Sequence, residues 1–176
     1  MQPRLFKQEF LPGITRADLH EMMVAYGMLE FERRGAAPFM WIIKSGPHLK
    51  WIETPWENDF EKNLQTSFIR TLMQKMEAEA YSFMTEAWVA VETATPDGKV
   101  PADAIAPSQR PKNERDDVLV IYTFDKHGGF DVTRFLVTLR DNGRNYLGPR
   151  DDESMTGAMP SGRMWNLLAK EQSDAS

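Results

Sequence analysis

Two apolar runs separated by a short turn form the clearest pattern in the chain. Residues 118–124 and 130–139 are rich in β-branched and aromatic side chains, and the turn between them contains Gly128 and Gly129. β-Branched and aromatic residues favour strands, and glycine adopts the positive φ angle that a tight reversal needs. The pattern therefore predicts a β-hairpin, which the rest of the chain covers and extends.

Apolar residues at intervals of three and four predict a first long helix over Arg16–Arg34. Thr15 and Asp18 approximate a capping box at its start, and Gly35 stands where helices commonly end. A helix that is apolar on two faces either lies at the centre of a fold or contacts another subunit. Both alternatives remain open for this helix, whose apolar residues form two stripes: Leu19, Met22, Met23, Tyr26 and Leu29 in one, and Val24, Met28 and Phe31 in the other.

A second helix is predicted over 55–79. Thr54, Pro55 and Glu57 fit the N-cap, first and third positions of a helix. Its apolar stripe drifts around the helix and comprises Trp56, Phe60, Leu64, Phe68, Ile69, Leu72, Met73 and Met76.

The strands are predicted from short apolar or alternating segments. They lie at 38–45, 49–53, 81–92, 118–124 and 130–139, with a short additional segment at 144–147 and a leader, 1–13, that is either an arm or a short edge strand. The order α-β-β-α-β-β-β, followed by a short C-terminal helix, predicts an α+β fold. We expect a mostly antiparallel sheet of about five strands with the two main helices on one face.

One α+β domain is predicted over 1–148, and it includes a long loop with four prolines at 93–115. Such a loop inside a compact domain is uncommon and is typical of a functional excursion, an assembly arm or a disordered insert. The remaining residues, 149–176, form a predicted tail with a short amphipathic helix over 161–172. A helix this short needs to dock on its own domain or on another chain to be stable.

Composition and charge exclude several classes of function. The 176 residues carry a net charge of −5. A chain with a net negative charge does not attract the phosphate backbone of nucleic acid overall, so nucleic acid is an unfavoured partner. The absence of cysteine excludes disulfides, thiolate zinc sites and cysteine nucleophiles, and is typical of a reducing compartment. The sequence shows no signal-peptide pattern and no apolar run of about 20 residues. We therefore expect a cytoplasmic protein with no membrane contact.

Motifs that carry chemistry are missing from the sequence. It contains no nucleophile elbow, no Walker A loop and no dinucleotide-binding glycine motif. None of His20, His48 and His127 has partners at a spacing that reads as a metal-binding motif. We therefore predict no catalytic residue, no metal site and no cofactor, and we favour a protein that is not an enzyme.

Charged residues in strands and in the loop support a ligand pocket as the alternative interpretation. Glu86 and Arg134 both lie in the middle of predicted strands, and they would form a cross-strand ion pair if those strands were neighbours. The functional interpretation places them with Arg110 and Arg115 as the polar groups of a pocket between the 93–115 loop and the sheet. An ion pair on a solvated face is the favoured interpretation.

Large apolar residues outside the predicted core are candidates for protein contacts, because tryptophan is enriched in interfaces. Trp56 stands at the start of helix 2, and Trp165 lies in the tail helix. The predicted interface residues are Met28, Phe31, Trp56, Trp165 and Leu168.

Two resemblances extend this interpretation. The residues of the first resemblance are Glu86-Ala87-Trp88, then Arg110-Pro111 and Glu114-Arg115, followed by the hydrophobic hairpin. They resemble a pattern of uncharacterised small α+β proteins of bacteria and bacteriophages. This resemblance covers 81–140 and implies no assigned activity. The element order also resembles that of roadblock-type, profilin-like domains, which dimerise and act as scaffolds, although the long loop departs from it.

Together these patterns favour a non-enzymatic protein that assembles with itself or with another protein, in a bacterial or phage accessory or structural role. The two-striped first helix, the proline-bearing loop and the tail helix support this interpretation. The alternative is a small-molecule or nucleotide-binding domain, with or without enzymatic activity. A third interpretation is a phage inhibitor that binds a host protein.

Overall fold

The structure, a computed structural model, describes residues 2–89, 109–139, 143–153 and 167–168. It confirms an α+β fold built on an antiparallel sheet. Along the chain the elements are β1 (Arg4–Phe10), α1 (Arg16–Arg34), β2 (Met40–Ser45), β3 (His48–Glu53), α2 (Asp59–Lys75), β4 (Ala80–Val89), a 3-10 turn (Lys112–Glu114), β5 (Asp116–Asp125), β6 (Phe130–Leu139) and β7 (Asn145–Glu153).

Seven described strands form one antiparallel sheet in the order β1-β3-β2-β4-β5-β6-β7. The prediction of about five strands is wrong, and so is the order that begins with a helix. The leader forms β1, and the segment after β6 forms β7, which runs well beyond the predicted 144–147. β1 and β7 are therefore the two edges of the sheet.

Helices α1 and α2 lie on opposite faces of the sheet, not on one face as the sequence analysis expects. The central strands are apolar on both sides: in β2, Met40 and Ile42 belong to the core beside α1, whereas Trp41 and Ile43 belong to the core beside α2. A sheet with two apolar faces needs a cover on each side, so one helix packs on each. We refer to these sides as the α1 face and the α2 face.

Two buried clusters fill the space between each helix and the sheet. The α1-face core contains Leu19, Met23, Val24, Phe31, Met40, Ile42, Leu49, Trp51, Ala80, Met84, Leu119, Ile121 and Phe135. The α2-face core contains Trp41, Ile43, Ile52, Ile69, Met73, Tyr81, Phe83, Val118, Val120, Phe124, Phe130, Val132 and Leu167. Leu168 packs against this second core, so the described part of the tail docks on its own domain.

α1 begins and ends where the sequence predicts. The hydroxyl of Thr15 accepts from the backbone N–H of Asp18, whose carboxylate accepts from the backbone N–H of Thr15 at 2.8 Å, completing the capping box. Gly35 ends the helix with a φ of 71°, the left-handed conformation that favours glycine. Within the helix, a Cβ on Gly27 would lie 2.5 Å from Sδ of Met84, so this glycine permits the close approach of α1 to β4.

α2 begins at Asp59 rather than at the predicted residue 55. Asn58 is the N-cap, and its side chain accepts from the backbone N–H of Glu61 at 2.9 Å. Thr54, the predicted N-cap, is fully buried and accepts from the indole N–H of Trp41 at 2.8 Å. The Thr54 hydroxyl therefore serves a tertiary contact, and a later residue caps the helix.

The predicted hairpin between β5 and β6 is confirmed. Phe124 and Phe130 are paired at its end. Asp125 closes the turn, because its carboxylate accepts from the backbone N–H groups of His127 and Gly129 at 2.8 and 3.0 Å.

Several predicted features fall wholly or partly outside the described residues. The 93–115 loop is described only from residue 109, and the tail helix over 161–172 only at Leu167 and Leu168. β7 continues across the predicted boundary between 1–148 and 149–176. Among the helices that the structure describes, none is long and apolar enough to cross a membrane.

Candidate functional site

A row of large apolar side chains lies on the outer side of α2. Phe60, Leu64 and Phe68 follow one another at intervals of four and are 76%, 60% and 45% exposed. A row at this spacing turns by about 40° per step around a helix, so it drifts from solvent toward the sheet. Leu72, four residues after Phe68, packs against the α2-face core. We call Phe60, Leu64 and Phe68 the α2 row.

A hollow lies where the α2 row meets the edge of the sheet. It has a volume of about 200 Å³ and is lined by Pro3, Leu5, Lys50, Ile52, Phe68 and Leu72. Leu5 on β1 and Ile52 on β3 are paired neighbours, and Leu5 is more than half exposed. The α2 row therefore continues onto the edge strand as one apolar surface.

Strand β1 adds further exposed apolar residues at this end of the molecule. The ring of Phe6 lies 6.0 Å from that of Tyr26, and the ring of Phe10 lies 5.3 Å from that of His48. Tyr26 belongs to α1, so Phe6 lies on the α1 face; without it, β1, the turn after it and α2 carry six of the twelve exposed large hydrophobic residues in the described chain. Scattered exposed hydrophobic residues are normal, whereas a cluster marks an interaction site. This end of the molecule is therefore the leading candidate for binding another protein.

A second apolar groove lies between α1 and β7. It has a volume of about 650 Å³ and is lined by Ala25, Met28, Leu29, Phe31, Glu32, Arg144, Asn145, Tyr146 and Leu147. Met28 and Leu29 are about half exposed on its rim. The groove lies on the face of the sheet opposite to α2, so the two apolar surfaces are separate.

A buried polar network surrounds His20 on the α1 face. Nδ1 and Nε2 of His20 lie 2.8 Å from the hydroxyls of Thr123 and Thr133, respectively. The Thr123 hydroxyl is also hydrogen-bonded to that of Ser82, and the Thr133 hydroxyl donates to Asp152. Burial lowers the pKa of His20, which favours the neutral ring at neutral pH.

Two arginines with carboxylate partners lie beside this network. Arg16, in the first turn of α1, donates to Asp131 at 2.7 Å and to Asp125 at 2.9 Å. Arg150 on β7 donates to Glu21 at 2.8 Å, and this hydrogen bond lowers the pKa of Glu21. The charged groups around the small hollow beside His20 are thus already paired with one another.

The geometry of the network is that of a structural link. Thr123 and Thr133 are fully buried, so their hydroxyls do not reach a substrate in solvent. Buried polar groups of this kind are normally satisfied by one another, as they are here. In the described parts of the chain, no group of three or more histidine, aspartate and glutamate side chains is arranged to hold a metal ion. The network joins α1 to β5, β6 and β7.

The predicted interface residues are divided between the two faces of the sheet, with Met28 and Phe31 on the α1 face and Trp56 and Leu168 on the α2 face. Phe31 is 1% exposed and lies in the α1-face core. Trp56 is partly buried and stacks on a neighbouring aromatic ring at a centroid distance of 4.0 Å, and Leu168 packs against the α2-face core. Trp165 lies outside the described residues. Of the four that are described, Met28 alone is exposed, and it lines the groove beside β7.

The residues of the alternative ligand pocket are separated by the sheet. Glu86 is paired with Leu119, which faces α1, whereas Arg134 is paired with Val120, which faces α2. Strand β5 also lies between the two strands that carry them. The expected ion pair between Glu86 and Arg134 therefore does not form. Arg134 instead pairs with Asp151, with Nη2 of the arginine 3.4 Å from Oδ2 of the aspartate.

The other two residues of that interpretation lie before β5. The guanidinium of Arg115 lies 4.0 Å from the ring centre of Trp88, two residues along the strand from Glu86. Glu86 itself accepts from the backbone N–H of Ala37 at 2.8 Å. Arg110 is partly buried at the start of the described segment. Arg115 thus contacts the strand that carries Glu86, whereas Arg134 lies on the other side of the sheet.

Sequence reasoning assigned neither the α2 row nor the His20 network as a site. The apolar stripe of α2 changes its position around the helix along its length. A stripe this wide extends beyond the side that one sheet can cover, and this is the sequence signal for the exposed row. The hydroxyl partners of His20 lie 103 and 113 residues away along the chain, and no local pattern reveals them.

Comparisons with protein-family models, with curated proteins and with solved structures find no match to this chain.

Proposed function

We propose that this protein is a non-enzymatic assembly or protein-interaction protein that docks through the α2 row. The observation that supports the proposal is the exposure of Phe60, Leu64 and Phe68 beside the apolar end of β1. Fully burying a large apolar side chain contributes about 1.5–3 kcal/mol. Phe60, Leu64 and Phe68 are exposed in part, so each has a part of this energy left to contribute to a contact. Together they form an apolar centre of the kind that carries most of the energy of a protein interface.

The surroundings of the row support the same function. Polar residues lie beside it on the exposed side of the helix: Asn63, Ser67 and Thr71, with Lys75 in the last turn. An apolar centre with a polar rim is the usual anatomy of a protein interface, in which the centre supplies the energy and the rim supplies the orientation. The row has this composition.

Location and biological setting belong to the same proposal. The lack of cysteine supports a cytoplasmic location. The pattern in residues 81–140 supports a bacterial or phage accessory role by its resemblance alone.

A photo-cross-linking amino acid at position 64, in the cells that produce the protein, tests this function. We expect a protein adduct of one defined mass from position 64. The matched control is position 29, because Leu29 is also an exposed helical leucine but lies on the opposite side of the sheet. No adduct at position 64, or the same adduct from both positions, would contradict the proposal.

A further inference from the structure

The charges on α2 are opposite at its two ends. Asp59 and Glu61 outnumber the single Lys62 in the first turn, whereas Lys75 is the basic residue of the last turn. A second copy of this helix in the antiparallel direction would place the acidic end of each helix beside the basic end of the other. Complementary charges at a rim favour one orientation and oppose the alternative, which here is the parallel one.

The apolar row is symmetric about Leu64. Phe60 and Phe68 lie four residues before and four residues after it. Antiparallel packing with Leu64 opposite Leu64 therefore brings Phe60 of each copy over Phe68 of the other. The hollow beside Phe68 has a largely apolar lining and a volume of about 200 Å³, which suits one aromatic ring.

We propose that the α2 row binds a second copy of this chain, with a two-fold axis at Leu64 and with Phe60 of each copy in the hollow beside Phe68 of the other. This inference rests on the proposed function, because it names the partner of the same surface. Rows at intervals of four pack into each other with the helices crossing at about −50°. The contact is isologous, so the same residues serve both copies.

The exposed apolar area is of the size that a reversible dimer needs. Using the exposed fractions of Phe60, Leu64, Phe68 and Leu5, and about 200 Å² for a large side chain, each copy offers on the order of 500 Å². Two copies would bury roughly 1,000 Å², which lies below the range of stable interfaces and in that of weak, transient ones. We therefore expect a dimer that dissociates on dilution.

Sedimentation velocity of the full chain over a range of concentrations tests the inference. The wild-type protein is expected to pass from monomer to dimer as its concentration rises. Leu64→Arg and Leu64→Glu are each expected to remain monomeric, because each places two like charges at the axis. An equimolar mixture of the two variants is expected to recover the dimer, since arginine then faces glutamate.

The controls separate an effect on the interface from an effect on the fold. Leu29→Arg makes the same change at an exposed leucine of α1 and is expected to dimerise like the wild type. The Leu64 variants are expected to keep the wild-type circular dichroism spectrum, because that side chain is 60% exposed in the monomer.

Three results would overturn the inference: a wild-type monomer at every concentration, a dimer that Leu64→Arg leaves intact, or a variant mixture that stays monomeric. The cross-linking experiment distinguishes this failure from that of the proposed function. An adduct between position 64 and a different protein would retain the docking function and exclude the second copy as its partner. A wild-type monomer with no adduct would contradict both.

Discussion

His20 and Thr133 are joined by a hydrogen bond whose direction follows from the next group in the network. Nε2 of His20 lies 2.8 Å from the Thr133 hydroxyl, and that hydroxyl donates its own proton to Asp152. The hydroxyl oxygen therefore accepts from Nε2–H, because a hydroxyl has only one proton to give. The histidine of α1 is thus connected through β6 to a carboxylate of β7.

The stability of the protein is expected to fall as the pH drops below about 6.5, the ordinary pKa of histidine. Burial lowers the pKa of His20 in the folded chain, so the unfolded chain binds this proton more readily. The contribution of the neutral ring is complete above about pH 6.5 and is lost as the pH falls toward the folded-state pKa. Thermal unfolding between about pH 5 and pH 7.5 measures it, since carboxylates titrate mostly at lower pH.

Substitution His20→Gln is the matched variant for this experiment. Glutamine retains hydrogen-bonding groups but does not titrate, so the melting temperature should depend less on pH than it does in the wild type. His48→Gln, at an exposed position in the first hairpin, makes the same substitution outside the network and controls for the change of residue type. An equal slope in the wild type and in His20→Gln would exclude His20 as the titrating group.

Arg16→Ala is expected to lower the free energy of unfolding by about 1 kcal/mol, because a partly exposed arginine loses two charge-assisted hydrogen bonds. A Cβ on Gly129 would lie 1.6 Å from Nη1 of Arg16, so Gly129→Ala must displace the same guanidinium. The double variant should therefore be about as stable as the less stable single variant. Urea unfolding of the wild type, the two single variants and the double variant measures the four free energies of unfolding. Losses of free energy that add fully in the double variant would show that the two positions act independently.

Gly27→Val is expected to destabilise the protein by about 2 kcal/mol. The new side chain would enter the space that Sδ of Met84 fills between α1 and β4, and overpacking a core of this kind typically costs about 1–3 kcal/mol. Helix propensity works in the opposite direction, because valine is a better helix former than glycine, so a loss at this position reports packing. A variant at least as stable as the wild type would show that Met84 can vacate the space.

Asn58→Ala and Thr54→Val are expected to destabilise the protein in different ways. The first removes the cap of α2 and should cost about 1 kcal/mol. The second leaves the buried indole N–H of Trp41 without its acceptor and should cost about 1–3 kcal/mol. Amide hydrogen exchange in the first turn of α2 should accelerate in Asn58→Ala and change little in Thr54→Val. If it accelerated in Thr54→Val alone, Thr54 and not Asn58 would be the cap of α2.

The two helices show why local signals predict some boundaries and not others. The start of α1 depends on Thr15 and Asp18, which lie three residues apart and bind each other, so the sequence contains the whole motif. The start of α2 depends on whether the Thr54 hydroxyl is available. Trp41, the residue that occupies it, lies on β2, and its contact becomes visible only when the sheet is assembled.

The sequence contains a signal for a helix on each face of the sheet, but it contains no signal for the faces on which Glu86 and Arg134 lie. β2 is apolar at consecutive positions rather than at alternate ones, and such a run is typical of a strand buried on both faces. It therefore indicates a helix on each side of the sheet. The separation of Glu86 from Arg134 depends on the pairing of β5 with both of their strands, which no spacing along the chain specifies.

The two edges of the sheet also set a limit on how many copies can join. β7 carries Pro149, which has no N–H to offer a further strand, followed by Arg150, Asp151 and Asp152. β1 has an irregularity in its register between Leu5 and Lys7. Proline, charge and bulges are the features that prevent sheets from growing edge to edge. These features therefore oppose the edge-to-edge pairing of copies by which a sheet would extend into a fibre.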